Sequence, residues 1–402
     1  MAIEIRVPKP DEAGSFRKVM SRTFGGDPRP DGDERFLRIW EPERSFCAYD
    51  DGVMVATSGA FSLNLTVPGG EMRAGGTTMV AVQPTHRRKG LLREMMTAHL
   101  RDVVEHEEPI AALWASESSI YGRFGFGTAS QAVELTIPAS HRTFHPAAPI
   151  PSPVRLIEMD DARQTIPALH ENFRSSFPGF FRRNEGWWEE RWFAEESDDR
   201  GGKSTRRFVV TAESDGYAIY RQKARWNEGH SAGEMDVVDL VAVSPEAWSG
   251  LWKYVLSHDL VTVVKAGPRP PDDPLLSLLA DPRRVLQRPG DGIWTRLVDP
   301  IRALAERRYQ MESSLTFEIN DPFLATKHTV ELTGGPDGAE ARSSQREADI
   351  ALDVADLSAS FLGWARFRAL AQAGRVRGSA ETLTRADLMF GWHPQPWCPE
   401  IF

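Results

Sequence analysis

The stretch TMVAVQPTHRRKGLLR, Thr78 to Arg93, decides how the chain is read. Met79 to Val82 is a short apolar run of strand length. Pro84 ends it, having no amide to give a ladder. His86 to Lys89 then places three fixed positive charges ahead of Gly90, and Leu91 to Leu100 carries apolar residues on one helical face. A strand, a basic turn with a glycine and a helix N-terminus suit a phosphate-bearing ligand. First-turn amides have no partner inside the helix, and the dipole favours an anion there. The plainer alternative is a solvated basic turn.

Working outward from that stretch, Ile3 to Val7 alternates as a strand, and Phe16, Val19, Met20 and Phe24 mark a helix. Gly25 to Gly32 is a loop rich in breakers. Ser45–Tyr49 and Val53–Thr57 flank Asp50-Asp51-Gly52, a strong hairpin signal. The second strand continues to Val67, Pro68 to Glu71 turns, and after the opening stretch Ile110 to Ala115 reads as a buried strand.

A second copy then begins. Val154 to Ile157 and the segment through Phe177-Pro178-Gly179 mirror Ile5 to Val7 and the segment through Phe24-Gly25-Gly26. Val241 to Pro245 mirrors Val80 to Pro84, but Glu246 to Gly250 stands in place of the basic cluster. This pattern suggests a repeat whose second copy has lost its phosphate charges. Gly186 to Phe193 reads as an amphipathic aromatic helix, and Gly267 to Pro274 as an internal loop. His145 to Pro153 reads as a linker, so a boundary is expected there. From about Trp294 a small α+β domain follows, with Gly334 to Arg346 as a polar turn region and no obvious catalytic cluster. The expected domains are 1–145, 154–293 and 294–402.

At 402 residues the chain exceeds one core. It is 41% hydrophobic and 26% charged, with no run long enough to span a bilayer and no secretory signal, so a cytoplasmic protein is expected. Cys47 and Cys398 lie far apart, and the ten histidines form no ligand pattern, so no metal is expected. A net charge of −9 argues against nucleic acid and suits a cationic substrate.

The basic turn lacks the GxxxxGK[ST] and GxGxxG spacings of nucleotide folds. The pyrophosphate arm of coenzyme A fits it better, with the pantetheine lying along Met79–Val82 as an added strand. In its order of strand, turn, helix and strand this looks like the GNAT acetyltransferases. Their Arg/Gln-x-x-Gly-x-Gly/Ala motif is met by Arg87 to Leu92, with Leu92 departing at the last position. A second stretch, Trp114 to Gly127 (WASESSIYGRFGFG), sharpens the match. Together the two segments closely resemble the Eis (enhanced intracellular survival) acetyltransferases, and the layout agrees across the whole chain.

The resemblance implies a mixed α/β (α+β) fold. Two tandem GNAT-type domains, the second without cofactor, precede a sterol-carrier-protein-like domain whose C-terminus enters the active site. It implies acetyl-CoA contacts at Val80, Ala81, Val82, Arg88, Lys89, Gly90, Leu91, Leu92, Arg93, Ser116 and Glu117. It makes Tyr121 the acid for the leaving thiolate and the carboxylate of Phe402 the base. The physics permits both roles, with phenol near pKa ~10, thiol ~8.5 and α-carboxyl ~3.5. Asp27 and Glu400 are candidates for holding cationic amines.

The implied reaction is direct acetyl transfer to primary amines of polyamine-like substrates such as aminoglycosides, by a homo-oligomer that is hexameric in the family. A lysine acetyltransferase is the enzymatic alternative. A non-catalytic ligand-binding or assembly protein using the C-terminal domain is the alternative from another class.

Overall fold

The computed structural model describes residues 3–27, 36–194 and 200–402. The expected loop and amine-pocket region around Gly25 therefore lies outside the described residues from 28 to 35. The chain divides into two compact units, one of Met1–Ser130, Ile293–His393 and Ile401–Phe402, the other of Gln131–Gly292 and Pro394–Glu400.

The first unit opens with β1 (Glu4–Arg6), α1 (Ala13–Thr23), β2 (Cys47–Asp50), β3 (Val53–Val67), β4 (Gly70–Val82), α2 (Leu91–Glu105) and β5 (Ile110–Trp114). The strands lie in the order β1-β2-β3-β4-β5, continued by Ile293–Leu297 and Gly127–Thr128. Asp51 and Gly52 both have positive φ, as a two-residue Asp-Gly hairpin turn requires. α1 buries Ala13, Phe16 and Val19 at three-residue spacing against Trp40, Tyr49 and Met54. α2 buries Leu91, Met95, Met96, His99, Leu100 and Val103 on one face. Its far end is held by Arg44, 1% exposed, which pairs with Asp102 at 2.8 Å and Glu108 at 2.6 Å.

The same unit carries a five-stranded sheet in the order Gly338–Ser343, Thr326–Gly335, Ser313–Asp321, Ile350–Asp353, Val376–Gly378. Helices Val354–Ser360, Phe367–Gln372 and Ala380–Phe390 accompany it. Tyr309, Phe317, Phe367 and Phe390 pack ring against ring at 5.0–6.1 Å and fill its core. Thr295 donates to the Ser358 carbonyl at 2.8 Å and Arg296 pairs with Asp321 at 2.7 Å, tying this layer to the first sheet.

The second unit repeats the plan. Its sheet runs Leu286–Asp291, Gln131–Pro138, Val261–Arg269, Gly233–Ala242, Gly216–Lys223, Arg207–Thr211, Val154–Ile157. Helices Met159–Arg174 and Pro245–Leu256 pack on it.

Four expectations need correction. The chain leaves the first sheet at Ser130, before the proline-rich linker, because Gln131–Pro138 pairs with Val261–Arg269 and Leu286–Asp291. Conversely Ile293–Leu297, read as the start of the third domain, pairs with β5 and closes the first sheet. The polar region after Gly334 contains the strand Gly338–Ser343, and the breaker-rich segment at Gly267 begins as the end of a strand. Trp188–Phe193 is a wide helical turn following Glu185–Trp187, burying Trp188, Trp192 and Phe193.

Candidate active site

β4 pairs with β3 along its length, except that Met79 and Val80 together face Ser58. This is a β-bulge, and Met79 takes a φ of 54° to make it. Thr57 holds the strained residue by donating to its carbonyl at 2.9 Å. Gly59 makes the room: a Cβ there would stand 2.9 Å from the Met79 methyl. On the other edge, β4 meets β5 only from Ala74 to Gly76 among the described residues. Beyond Gly76 the two parallel strands part, leaving the edge from Met79 to Val82 available to an added strand.

The strand ends in the basic turn. Gln83 donates its amide to the Val55 carbonyl at 3.0 Å, and His86 reaches Asp50 at 3.0 Å. That bond draws the Asp50 carboxyl below its ordinary range. Arg87 turns back to the Val82 carbonyl at 3.3 Å. Arg88 and Lys89 are exposed, and Arg88 at φ 63° and Gly90 at φ 87° are both left-handed.

Gly90 is the N-cap of α2 and offers no side-chain cap. A Cβ there would meet only Glu94 Oε1, at 3.8 Å, so glycine is needed for its conformation and the space over the turn is open. The first-turn amides of a 15-residue helix thus face outward beside two cations. Ala81 is 2% and Leu91 4% exposed, both core-facing, so they present main chain to a ligand. Val80, Val82 and Leu92 are half-buried. Arg93 lies with its guanidinium 4.9 Å over the Phe323 ring.

The matching helix of the second unit is finished differently. Ser244 accepts from Ala247 N at 3.1 Å and donates to Asp215, so the chain caps that end itself with an acid nearby. The linker also lies across the helix: Ser249 donates to the Pro149 carbonyl at 2.9 Å, and Ser152 N to that of Glu246 at 3.0 Å. A Cβ on Gly250 would stand 2.4 Å from the Ser152 carbonyl oxygen.

Ser116 and Glu117 are exposed just beyond β5, where Glu117 precedes the short helix Ser118–Tyr121. Tyr121 is 5% exposed and packs edge-on to Phe126 at 6.2 Å. Burial pushes its phenol above the ordinary value; a hydrogen bond with Ser116 opposes this and the Glu117 charge adds to it. Phe402 is buried at 9% exposure and belongs to the same unit as Tyr121 and the basic turn. Asp27 is exposed in that unit.

Glu400 is not the open carboxylate expected. It is 4% exposed in the second unit, ion-paired with Arg183, which also meets Asp239 at 3.2 Å. An acid already matched to a buried guanidinium is not free to collect an amine. The His86–Asp50 clamp and the Met79 bulge had no sequence signal beyond the Asp-Gly hairpin that brings Asp50 to the turn.

Residues 4–129 and 179–297 each match an acetyltransferase (GNAT) domain family, and 301–399 a sterol carrier protein domain family. An uncharacterized N-acetyltransferase of Streptomyces coelicolor is 34% identical over the full length of both chains. N-acetyltransferase Eis of Mycobacterium tuberculosis is 33% identical over 363 residues, 85% of this chain and 87% of the relative. The chain belongs to the Eis family of GNAT N-acetyltransferases. The crystal structure of Eis1 from Mycobacterium abscessus superposes with a TM-score of 0.86 at 30% identity, covering both chains completely. The Eis-family chain is therefore an N-acetyltransferase built of two GNAT domains and a sterol-carrier-type domain. GNAT-fold acetyltransferases use acetyl-CoA, and the open strand edge and uncapped helix end fit its pantetheine and pyrophosphate in kind. Among the described residues no helix is long and apolar enough to cross a membrane, and no group of three or more acidic, histidine or cysteine side chains could hold a metal.

Proposed function

We propose that this chain transfers acetyl from acetyl-CoA directly to primary amines of polyamine-like substrates, aminoglycosides among them. The observation that carries the reading is the uncapped, basic N-terminus of α2 at the end of a splayed strand, in the unit that also holds Tyr121 and Phe402. Main chain at Val80–Val82 would hold the pantetheine, and Arg88, Lys89 and the amides from Gly90 to Leu92 the pyrophosphate. Arg93, Ser116 and Glu117 would border the donor. The second unit, self-capped at the corresponding helix, is read as carrying no cofactor.

In the transfer, an amine nitrogen bonds to the thioester carbonyl carbon as the carbon–sulfur bond breaks. The terminal carboxylate of Phe402, directly or through water, takes the amine proton. Tyr121 gives its proton to the departing thiolate, and its raised pKa keeps it protonated at neutral pH. Exposed Asp27 and the net charge of −9 favour a cationic acceptor. The ring-filled core of the sterol-carrier-type layer favours a scaffolding part for it over lipid carriage. The reading includes a homo-oligomer, hexameric by family resemblance, in the cytoplasm, where the two buried free cysteines would stay reduced.

A few residues added after Phe402 test the mechanism. Acetyl transfer to a panel of aminoglycosides, polyamines and lysine peptides should fall at least ~100-fold while acetyl-CoA affinity is kept. Undiminished turnover removes the terminal carboxylate from the reaction, and turnover of lysine peptides alone favours the protein-acetylating alternative.

A further inference from the structure

Within the first unit, strands Ser313–Asp321 and Thr326–Gly335 pair with Asp321 opposite Thr326, so their hairpin turns on Pro322-Phe323-Leu324-Ala325. Asp321 builds the tip: its carboxylate accepts from the amides of Phe323 and Leu324, both at 3.1 Å. The same carboxylate pairs at 2.7 Å with Arg296, whose side chain has no exposure. Arg296 passes close over Gly125, and a Cβ on that glycine, at φ 84°, would run into its guanidinium. A Cβ on Gly127 would run into the Ala355 carbonyl in the same way. Two glycines of the Tyr121–Gly127 segment thus admit the sterol-carrier-type layer.

The tip fixed in this way carries Phe323, 8% exposed beside Leu324 at 44%. Loop tips ordinarily face water, so a buried ring there has entered a neighbour's core. Phe323 meets Phe124 edge-on at 5.1 Å and belongs to the cluster of Met96, Leu100 and Tyr121. The guanidinium of Arg93 lies 4.9 Å over the same ring. Arg93 is the third residue of α2 and is exposed. An arginine that grips a phosphate gives up rotamer freedom, and one already held over a ring has less to lose. Its N–H donors lie in the guanidinium plane, so stacking by the face leaves them available.

We propose that Phe323, contributed by the sterol-carrier-type layer, is a positioning residue for the acetyl donor. By supporting Arg93 in the first turn of α2, it presets that guanidinium for the donor's phosphates. This rests on the reading of the basic turn as the coenzyme A site. The sterol-carrier-type domain then takes part in donor binding through a loop tip, with Asp321 and Arg296 holding the tip in place.

Phe323→Leu tests this most cleanly, because it keeps an apolar wedge in the core and removes the ring under Arg93. Calorimetric titration with coenzyme A, per folded molecule from a thermal melt, should show affinity weakened roughly two- to fivefold, the scale of an exposed cation–π contact. KM for acetyl-CoA should rise by the same factor with kcat kept within about twofold, as for binding felt equally by substrate and transition state. Phe323→Tyr, which keeps the ring face, should bind as wild type does. In an Arg93→Met background, Phe323→Leu should cost nothing further, since the ring acts through the guanidinium. Wild-type affinity in Phe323→Leu, an equal loss in both backgrounds, or a loss that tyrosine does not restore overturns the proposal. The double variant Arg88→Ala, Lys89→Ala is titrated in parallel. If it alone binds weakly, the donor site stands and the ring's part in it fails; if it binds as wild type does, the donor reading of the turn is itself wrong.

Discussion

At the scale of single residues, two groups are displaced from their ordinary acidity in ways that can be measured. Tyr121 is raised by burial, so the proton it is proposed to donate is retained into alkaline conditions. Turnover should hold until pH passes the ordinary phenol range near ~10, and Tyr121→Phe should lower kcat by about 10²- to 10⁴-fold with acetyl-CoA affinity kept. An unchanged kcat would return Tyr121 to the core it shares with Phe124 and Phe126. Glu400 is pushed up to about 7 by burial, despite Arg183, because two acids share that guanidinium. Its folded form therefore keeps a proton that the unfolded chain loses above about 4.5, and binding more protons when folded makes stability fall as pH rises. The contribution is fully present below about 4.5 and is lost as pH passes about 7. Glu400→Gln has no such titration, so the stability of wild type relative to the variant should decline across that window in thermal melts. A flat difference would mean the carboxyl is ionised throughout.

At the scale of elements, the turn between β4 and α2 depends on backbone conformation more than on charge. Gly90 is left-handed with open space around it, so Gly90→Ala introduces strain and no clash. It should cost about 1 kcal/mol of stability. If, as proposed, the amides it sets hold the pyrophosphate, it should also weaken coenzyme A binding by roughly tenfold. Calorimetric titration would read the second effect, and unchanged affinity would make the turn ordinary surface. Elements of this size were largely legible in the sequence. Periodicity marked α1 and α2, Asp51-Gly52 marked the first hairpin, and Val241 to Pro245 echoed Val80 to Pro84. The bulge was not legible. It arises from Gly59 admitting Met79 across the ladder, and no local pattern carries that pairing.

At the scale of the molecule, composition suggested where the chain is loose, and pairing decided where it is divided. His145 to Pro153 has the composition of a linker, yet Gln131–Pro138 had already joined the second sheet. Ile293–Leu297 returns to the first sheet from the far side of the repeat. Strand partners are chosen by contacts more than a hundred residues apart, which one-dimensional periodicity does not record. The same limit hid Glu400: near the end of the chain it read as an available acid, while Arg183, 217 residues earlier, already holds it.

The self-capped helix Pro245–Leu256 carries a kinetic meaning for the proposed oligomer. If, as proposed, only the first copy binds acetyl-CoA, the second being closed by its own Ser244 and linker, the donor stoichiometry is one per chain. Cooperativity within a chain is then impossible for acetyl-CoA. A Hill coefficient above one would be a signal passing between subunits.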